Sequence, residues 1–168
     1  EAYEVYHEQQ TIELFENLGV LAKNEIEARF EILNETYVKK LQIEARIIGD
    51  ICLNHVIPAA VRYQNVLIEN VKGVKEIFGE GYLDYCSAEI ETLKKISSYI
   101  NNISIDVEEL VEARKRANKI ENIAERAKVY SHSVKDMMDK VRDSADHLEM
   151  LIDDEMWPLP KYRELLFF

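Results

Sequence analysis

Proline occupies only three of 168 positions, Pro58, Pro158 and Pro160, and glycine only five. These are the two residues that most often interrupt regular backbone. Proline lacks an N–H and crowds the carbonyl four residues back, and glycine loses the most conformational freedom on ordering. A chain so poor in interrupters and so rich in Glu, Lys, Ala, Ile and Leu reads as helical throughout. The expected fold class is all-α: an antiparallel, up-down bundle of three to four long helices. A short N-terminal helix should precede it and an extended Trp-Pro-x-Pro tail should follow. The expected organisation is a single domain with an N-terminal segment at 1–20, the bundle at 21–156 and a tail at 157–168.

Apolar spacing supplies the elements. TIELFENL, residues 11–18, reads as a short amphipathic helix stopped by Gly19. A long helical run from about Asn24 to Phe78 carries Ile26, Phe30, Leu33, Tyr37, Leu41, Ala45, Ile48 and Cys52, then Ala59, Val66 and Val74, on one face. Asn24 suits its cap, and Glu25 and Glu27 suit its first turn. Pro58 should kink or break this run, which if unbroken would extend about 80 Å. FGEGY, with Gly79 and Gly81, marks a turn. A second run follows over 83–117, with a weak point at NNISID, residues 101–106. The third has the most regular seam: Ile120, Ala124, Ala127, Ser131, Val134, Met138, Val141, Ala145, Leu148 and Ile152, in steps of four and three.

Composition excludes several functions. A formal net charge of -11 disfavours nucleic acid and anionic lipid as partners, since both are bound through Lys and Arg. No apolar run approaches the ~20 residues of a membrane span. Cys52 and Cys86 have no zinc or redox spacing, which fits two buried thiols in a reducing cytoplasm. A di-iron bundle needs two Glu-x-x-His motifs on core helices, and the sequence holds one, Glu4 to His7, near the N-terminus. His55 has two readings, a ligand or proton carrier and a core histidine bonded to a carbonyl freed by Pro58; the second is preferred. His147 pairs by spacing with Asp143. Arg46, Arg62 and Arg114 fall near apolar faces, with Glu44, Glu69 and Glu112 as neighbours at the helix edges. The residues alone therefore nominate no catalytic, cofactor-binding or metal-binding group. Glu1 in place of an initiator Met reads as the start of a fragment or of a processed chain.

Two stretches go further than periodicity. LNETYVKKLQIEARIIGDICLNHVIPAAVRYQNVLIENVKGVKEIFG (33–79) and DDEMWPLPKYRELLF (153–167) resemble the C-terminal region of type III glutamine synthetases, and LVEARKRANKI (110–120) fits the same pattern. The resemblance runs from about Leu14 to the end. It implies a parent enzyme, a glutamate-ammonia ligase of bacterial nitrogen assimilation, that uses ATP and Mg or Mn and forms large ring-based homo-oligomers. None of that family's catalytic motifs occurs here, so the implied role is structural and the chain by itself is expected to be inactive. The implied partners are the parent catalytic domain and neighbouring subunits, in the cytoplasm. Trp157, Pro158, Pro160, Tyr162, Leu165, Leu166 and Phe167 are the candidate docking segment, because aromatic and aliphatic anchors dominate interface centres. The alternative for these residues is that they fold back on their own bundle. The alternative for the whole chain is a free-standing helical interaction module.

Overall fold

The computed structural model describes residues 4–161 and 163–167, with His7 and Phe167 described by their backbone alone. Every regular element among the described residues is helical. After a 3-10 turn at Glu4–His7 come α1 (Gln9–Asn17), α2 (Lys23–Ile51), α3 (Ile57–Phe78), α4 (Leu83–Ala117), α5 (Ile123–Val129) and α6 (Lys135–Leu151). A 3-10 turn at Glu164–Phe167 ends the description.

Local chemistry sets the helix ends. Gly19 has φ +63°, its N–H bonds to Glu16 O, and the Val20 N–H bonds to Phe15 O. This is the paired hydrogen-bond stop that favours glycine one residue past the cap. α2 begins one residue before the expected Asn24. Glu25 closes its start by reaching back to the Ala22 N–H at 2.7 Å, an acidic residue placed where the helix dipole welcomes it. Asn122 caps α5 through its side-chain oxygen, which accepts from the N–H groups of Ala124 and Glu125.

Pro58 does not break the helical run. A π turn at Cys52–Val56 separates α2 from α3, with the Ile57 N–H bonded five residues back to Cys52 O. The proline then falls in the first turn of α3, where its missing N–H costs little. NNISID also stays helical: Ile103 and Val107 are buried, and the Ser104 hydroxyl donates to Ile100 O. The irregularity in α4 lies instead at Cys86, at φ -134° and ψ 24°. A second π turn, Tyr130–Val134, interrupts the third run. Tyr130 rather than Ser131 is buried there, and further along Ser144 is buried while Ala145 is half-buried.

The chain divides into two compact units: Glu1–Ala45 with Val111–Asp136, and Arg46–Leu110 with Met137–Phe168. The first has a core of Ile12, Ile26, Phe30, Val38 and Leu41, joined by Ala113, Ala117, Ala127, Tyr130 and Val134. The Tyr130 hydroxyl donates to Asn118 Oδ1 at 2.7 Å, so a wholly buried phenol keeps a partner. Glu4 and Lys128 form an ion pair that holds the Glu4 carboxyl below the usual carboxylate range.

In the second unit α3 and α4 run antiparallel: Gln64 bonds Ser97 and Asn70 bonds Glu89, so one numbering falls as the other rises. α6 packs on α4 through His147, whose ring stacks on Tyr99 at 5.0 Å and whose Nδ1 meets Asp143 O at 2.7 Å. Burial concentrates in Cys52, Val56, Ala59, Ala60, Ile96, Ile103, Val107, Leu110, Val141, Leu148 and Ile152. The far half of α3 behaves differently. Val66, expected in the core, is exposed, and so are Ile68, Ile77 and Phe78.

Two glycines separate backbone need from chance. Gly73, inside α3, has open space where a Cβ would sit, whereas Gly19 sits at positive φ. Gly73→Ala should raise unfolding free energy by about 0.5–1 kcal/mol, and Gly19→Ala should lower it by about 1 kcal/mol. Urea titration followed by circular dichroism reads both changes. Equal effects at the two sites would contradict this account of the helix ends.

Candidate functional site

The candidate docking segment lies in the second unit, and one cation organises it. α6 ends at Leu151, and Asp153 then turns the chain: its carboxylate accepts from the Glu155 N–H, and its carbonyl accepts from the N–H groups of Met156 and Trp157. Pro158 and Pro160 supply no donors, so the helix cannot resume there. The chain doubles back until Lys161 reaches the end of α6. Its ammonium donates to Glu149 O at 2.7 Å and Ile152 O at 2.9 Å, and pairs with Asp154 Oδ1 at 2.6 Å. An ammonium has three N–H bonds, and here all three have acceptors, which makes burial of the group to 8% exposure tolerable. The two carbonyls are among those left unpaired at a helix C-terminus, where the dipole also favours a cation. Arg163 pairs with the same Asp154, and Glu164 reaches back to the Lys161 N–H at 3.3 Å.

This clasp distributes the seven candidate residues unequally. Trp157 is buried against its own unit, at 8% exposure. Pro158 and Pro160 are exposed. Leu165 is exposed on one side and lines a cavity on the other, and Leu166 is 79% exposed. Tyr162 and the Phe167 side chain lie outside the described residues. Lys161 and Asp154, which hold the segment in place, were not among the expected site residues. No periodic pattern marks them; a lysine just after Pro-x-Pro was the available signal.

Under the tail is a cavity of about 330 Å³, walled by Cys52, Val56, Ala145, Trp157 and Leu165. Burial, aided by the nearby Asp146 carboxylate, pushes the Cys52 thiol up to about 11. Cys86 is buried as well, its Sγ set against Tyr82 O at 3.2 Å, and neither cysteine is in a disulfide.

Other candidates separate. His55 is exposed rather than in the core, because the π turn faces Leu53–His55 outward. Glu69 and Glu112 pair with Lys72 and Lys115 and not with the arginines; Arg46 and Arg62 are exposed, and Arg114 keeps its Nε buried without an acceptor among the described residues. Among the described residues no three His, Cys, Asp or Glu side chains are grouped to hold a metal ion. No described helix is long and apolar enough to cross a membrane.

Fold and clasp together define an all-helical domain of long packed helices whose C-terminal tail is locked onto its last helix. Residues 1–75 match the family described as glutamine synthetase C-terminal domain. The chain is 47% identical over 149 residues to a glutamine synthetase of Bacteroides fragilis (strain YCH46), covering 88% of this chain and 20% of that protein. It is 29% identical over 168 residues to a type-3 glutamine synthetase of Dictyostelium discoideum, covering 99% and 23%. A glutamine synthetase of Butyrivibrio fibrisolvens is 30% identical over 158 residues, covering 94% and 22%. The chain thus spans about a fifth of the length of these relatives.

Two outcomes test the site. Lys161→Met leaves the Glu149 and Ile152 carbonyls without their donor, while Asp154 keeps Arg163, so stability should fall by about 2–4 kcal/mol. Emission of the single tryptophan should shift to the red as Trp157 is uncovered. An unchanged denaturation midpoint with unchanged emission would show that the clasp does not hold the tail. The Cys52 thiol, raised from 9.0 in the unfolded chain to about 11 when folded, keeps its stabilising effect below 9.0. Ionisation favours the unfolded chain as pH climbs from there to about 11, by ~2–3 kcal/mol at most. Cys52→Ala should flatten the alkaline fall in stability relative to the parent, and identical slopes would refute the assignment.

Proposed function

We propose that this chain is the C-terminal helical domain of a type III glutamine synthetase, acting as scaffold and subunit contact rather than as a source of catalytic groups. Likeness to glutamine synthetases along 88–99% of the chain is the observation that carries the reading. The parent reaction on this reading is the ATP-dependent ligation of ammonia to glutamate in the cytoplasm. ATP and Mg or Mn are bound by residues outside this chain.

Two surfaces suit the contact role. At the junction of α3 and α4, Ile77 (76% exposed), Phe78, Leu83 and Tyr85 present apolar area to solvent, with the Phe78 and Tyr85 rings stacked at 3.9 Å. An apolar cluster of this kind is commonly an interaction site. The second surface is the outer side of the clasped tail, where Leu165 and Leu166 stand free while Trp157 anchors the segment from within.

In the full-length enzyme carrying this domain, deletion of residues 153–168 should yield smaller assemblies or an unstable enzyme. Ile77→Asp with Leu83→Asp, both at exposed positions, should reduce assembly size while leaving the helical content of the domain intact. The isolated chain should form no glutamine from glutamate, ammonia and ATP. Full activity and unchanged particle mass in both altered enzymes would overturn the scaffold reading, and ligase activity of the isolated chain would overturn its non-catalytic part.

A further inference from the structure

Beyond Ala60 the α3–α4 hairpin carries the residue pattern of a helix-bundle core that its own two helices do not close. Val61, Gln64, Ile68, Val71 and Lys75 follow one another along α3 in steps of three and four. Leu83, Cys86, Ile90, Leu93 and Ser97 do the same along α4. That spacing is the seam by which the helices of a bundle interlock. The Gln64 amide donates to the Ser97 hydroxyl at 2.7 Å, which brings the two seams to one side of the hairpin, while Asn70 and Glu89 join along the other edge. Of these seam residues only Cys86 is buried; Val61, Ile68 and Leu83 are exposed, and Val71, Ile90 and Leu93 are half-buried. Two helices share a single line of contact, so apolar seams on one side of both need a second layer to be covered.

The distribution of charge selects the occupant of that second layer. Around the hairpin tip, Glu76, Glu80, Asp84, Glu89 and Glu91 outnumber Lys72 and Lys75. Toward the base, Arg62, Lys94 and Lys95 outnumber Glu69. A second hairpin of the same kind, laid antiparallel, sets each acidic tip against the other's basic base, whereas the opposite orientation sets tip on tip. Ile68 and Ile90 stand at about the same level by the register of the two cross-hairpin hydrogen bonds, so a two-fold axis through that level brings like seams together. A patch that complements itself in this way is the kind from which two-fold dimers are built. We propose that a second copy of this chain covers this side of the hairpin, the two hairpins packing tip to base as an antiparallel four-helix bundle. The proposal rests on the scaffold reading given above and supplies its partner.

Sedimentation equilibrium of the chain should show a reversible dimer. Lys94→Glu with Lys95→Glu makes the base acidic, and Glu76→Lys with Asp84→Lys makes the tip basic; all four positions are exposed, and circular dichroism should show helix content unchanged in both proteins. Each altered protein alone should dimerise about tenfold or more weakly, and an equimolar mixture should recover the parent affinity to within about threefold, because each then meets opposite charge at both ends. Independently of charge, Ile68→Cys should give a disulfide-linked dimer on copper-catalysed air oxidation. Val66→Cys, exposed on the far side of α3, should not, and the native Cys52 and Cys86 are buried. A chain that stays monomeric at its solubility limit would overturn the proposal and give the hairpin another occupant, such as the parent catalytic domain. Undiminished dimers of the charge-altered proteins, a mixture no tighter than either alone, or cross-linking by the Val66→Cys protein in place of the Ile68→Cys protein would each overturn it as well. The scaffold reading falls on a separate measurement, the activity and particle mass of the altered full-length enzymes, so the two failures are distinct.

Discussion

Three acceptors converge on one ammonium group at the end of α6, and the described residues between Leu151 and Lys161 are arranged by that convergence. Glu149 O and Ile152 O are carbonyls that a terminating helix leaves unpaired, and Lys161 satisfies both while Asp154 balances its charge. Because Lys161 must come back to α6, residues between Asp153 and Pro160 have to form a closed loop. Trp157 then lies inside that loop. The cavity, the uncovered Leu166 and the buried indole N–H are all consequences of where one lysine is tied.

The two π turns solve a related problem for the long helices. Apolar residues spaced for a regular helix drift around its axis, and one added residue per turn resets which face is inward. At Cys52–Val56 the reset keeps Cys52, Val56, Ala59 and Ala60 buried and lets Pro58 sit in a first turn. At Tyr130–Val134 it buries a phenol that finds Asn118 as its partner. Beyond Ala60, by contrast, no residue of α3 is fully buried. The far end of the α3–α4 hairpin is therefore held by edge hydrogen bonds and aromatic stacking, and it leaves apolar side chains uncovered.

Three of the buried polar groups, on Lys161, Tyr130 and Asn34, spend their hydrogen bonds on holding the fold. The ion pairs along the helices are mostly exposed Lys–Glu neighbours, which water and salt screen and which add little to stability. On the proposed scaffold reading, the hairpin tip and the tail are the apolar surfaces offered to a partner.

The amino-acid sequence by itself determined the helical class, the stop at Gly19, the turn at Gly79–Gly81 and the span of α4, since propensity and punctuation act locally. It also carried the family likeness, legible in NHVIPAA and WPLPKYRELLF without any structure. It did not determine how Pro58 is absorbed, why Tyr130 displaces Ser131 from the seam, or why Val66 and His55 face water. Those depend on which face each helix finally packs, a choice made by neighbours distant in sequence. The clasp belongs to the same category: Lys161 acquires its meaning only when two carbonyls of another turn stand within 3 Å of its nitrogen. A hydrogen bond between residues nine and twelve positions apart leaves no periodic trace, so only the tertiary structure decided which side of the tail is anchor and which is surface.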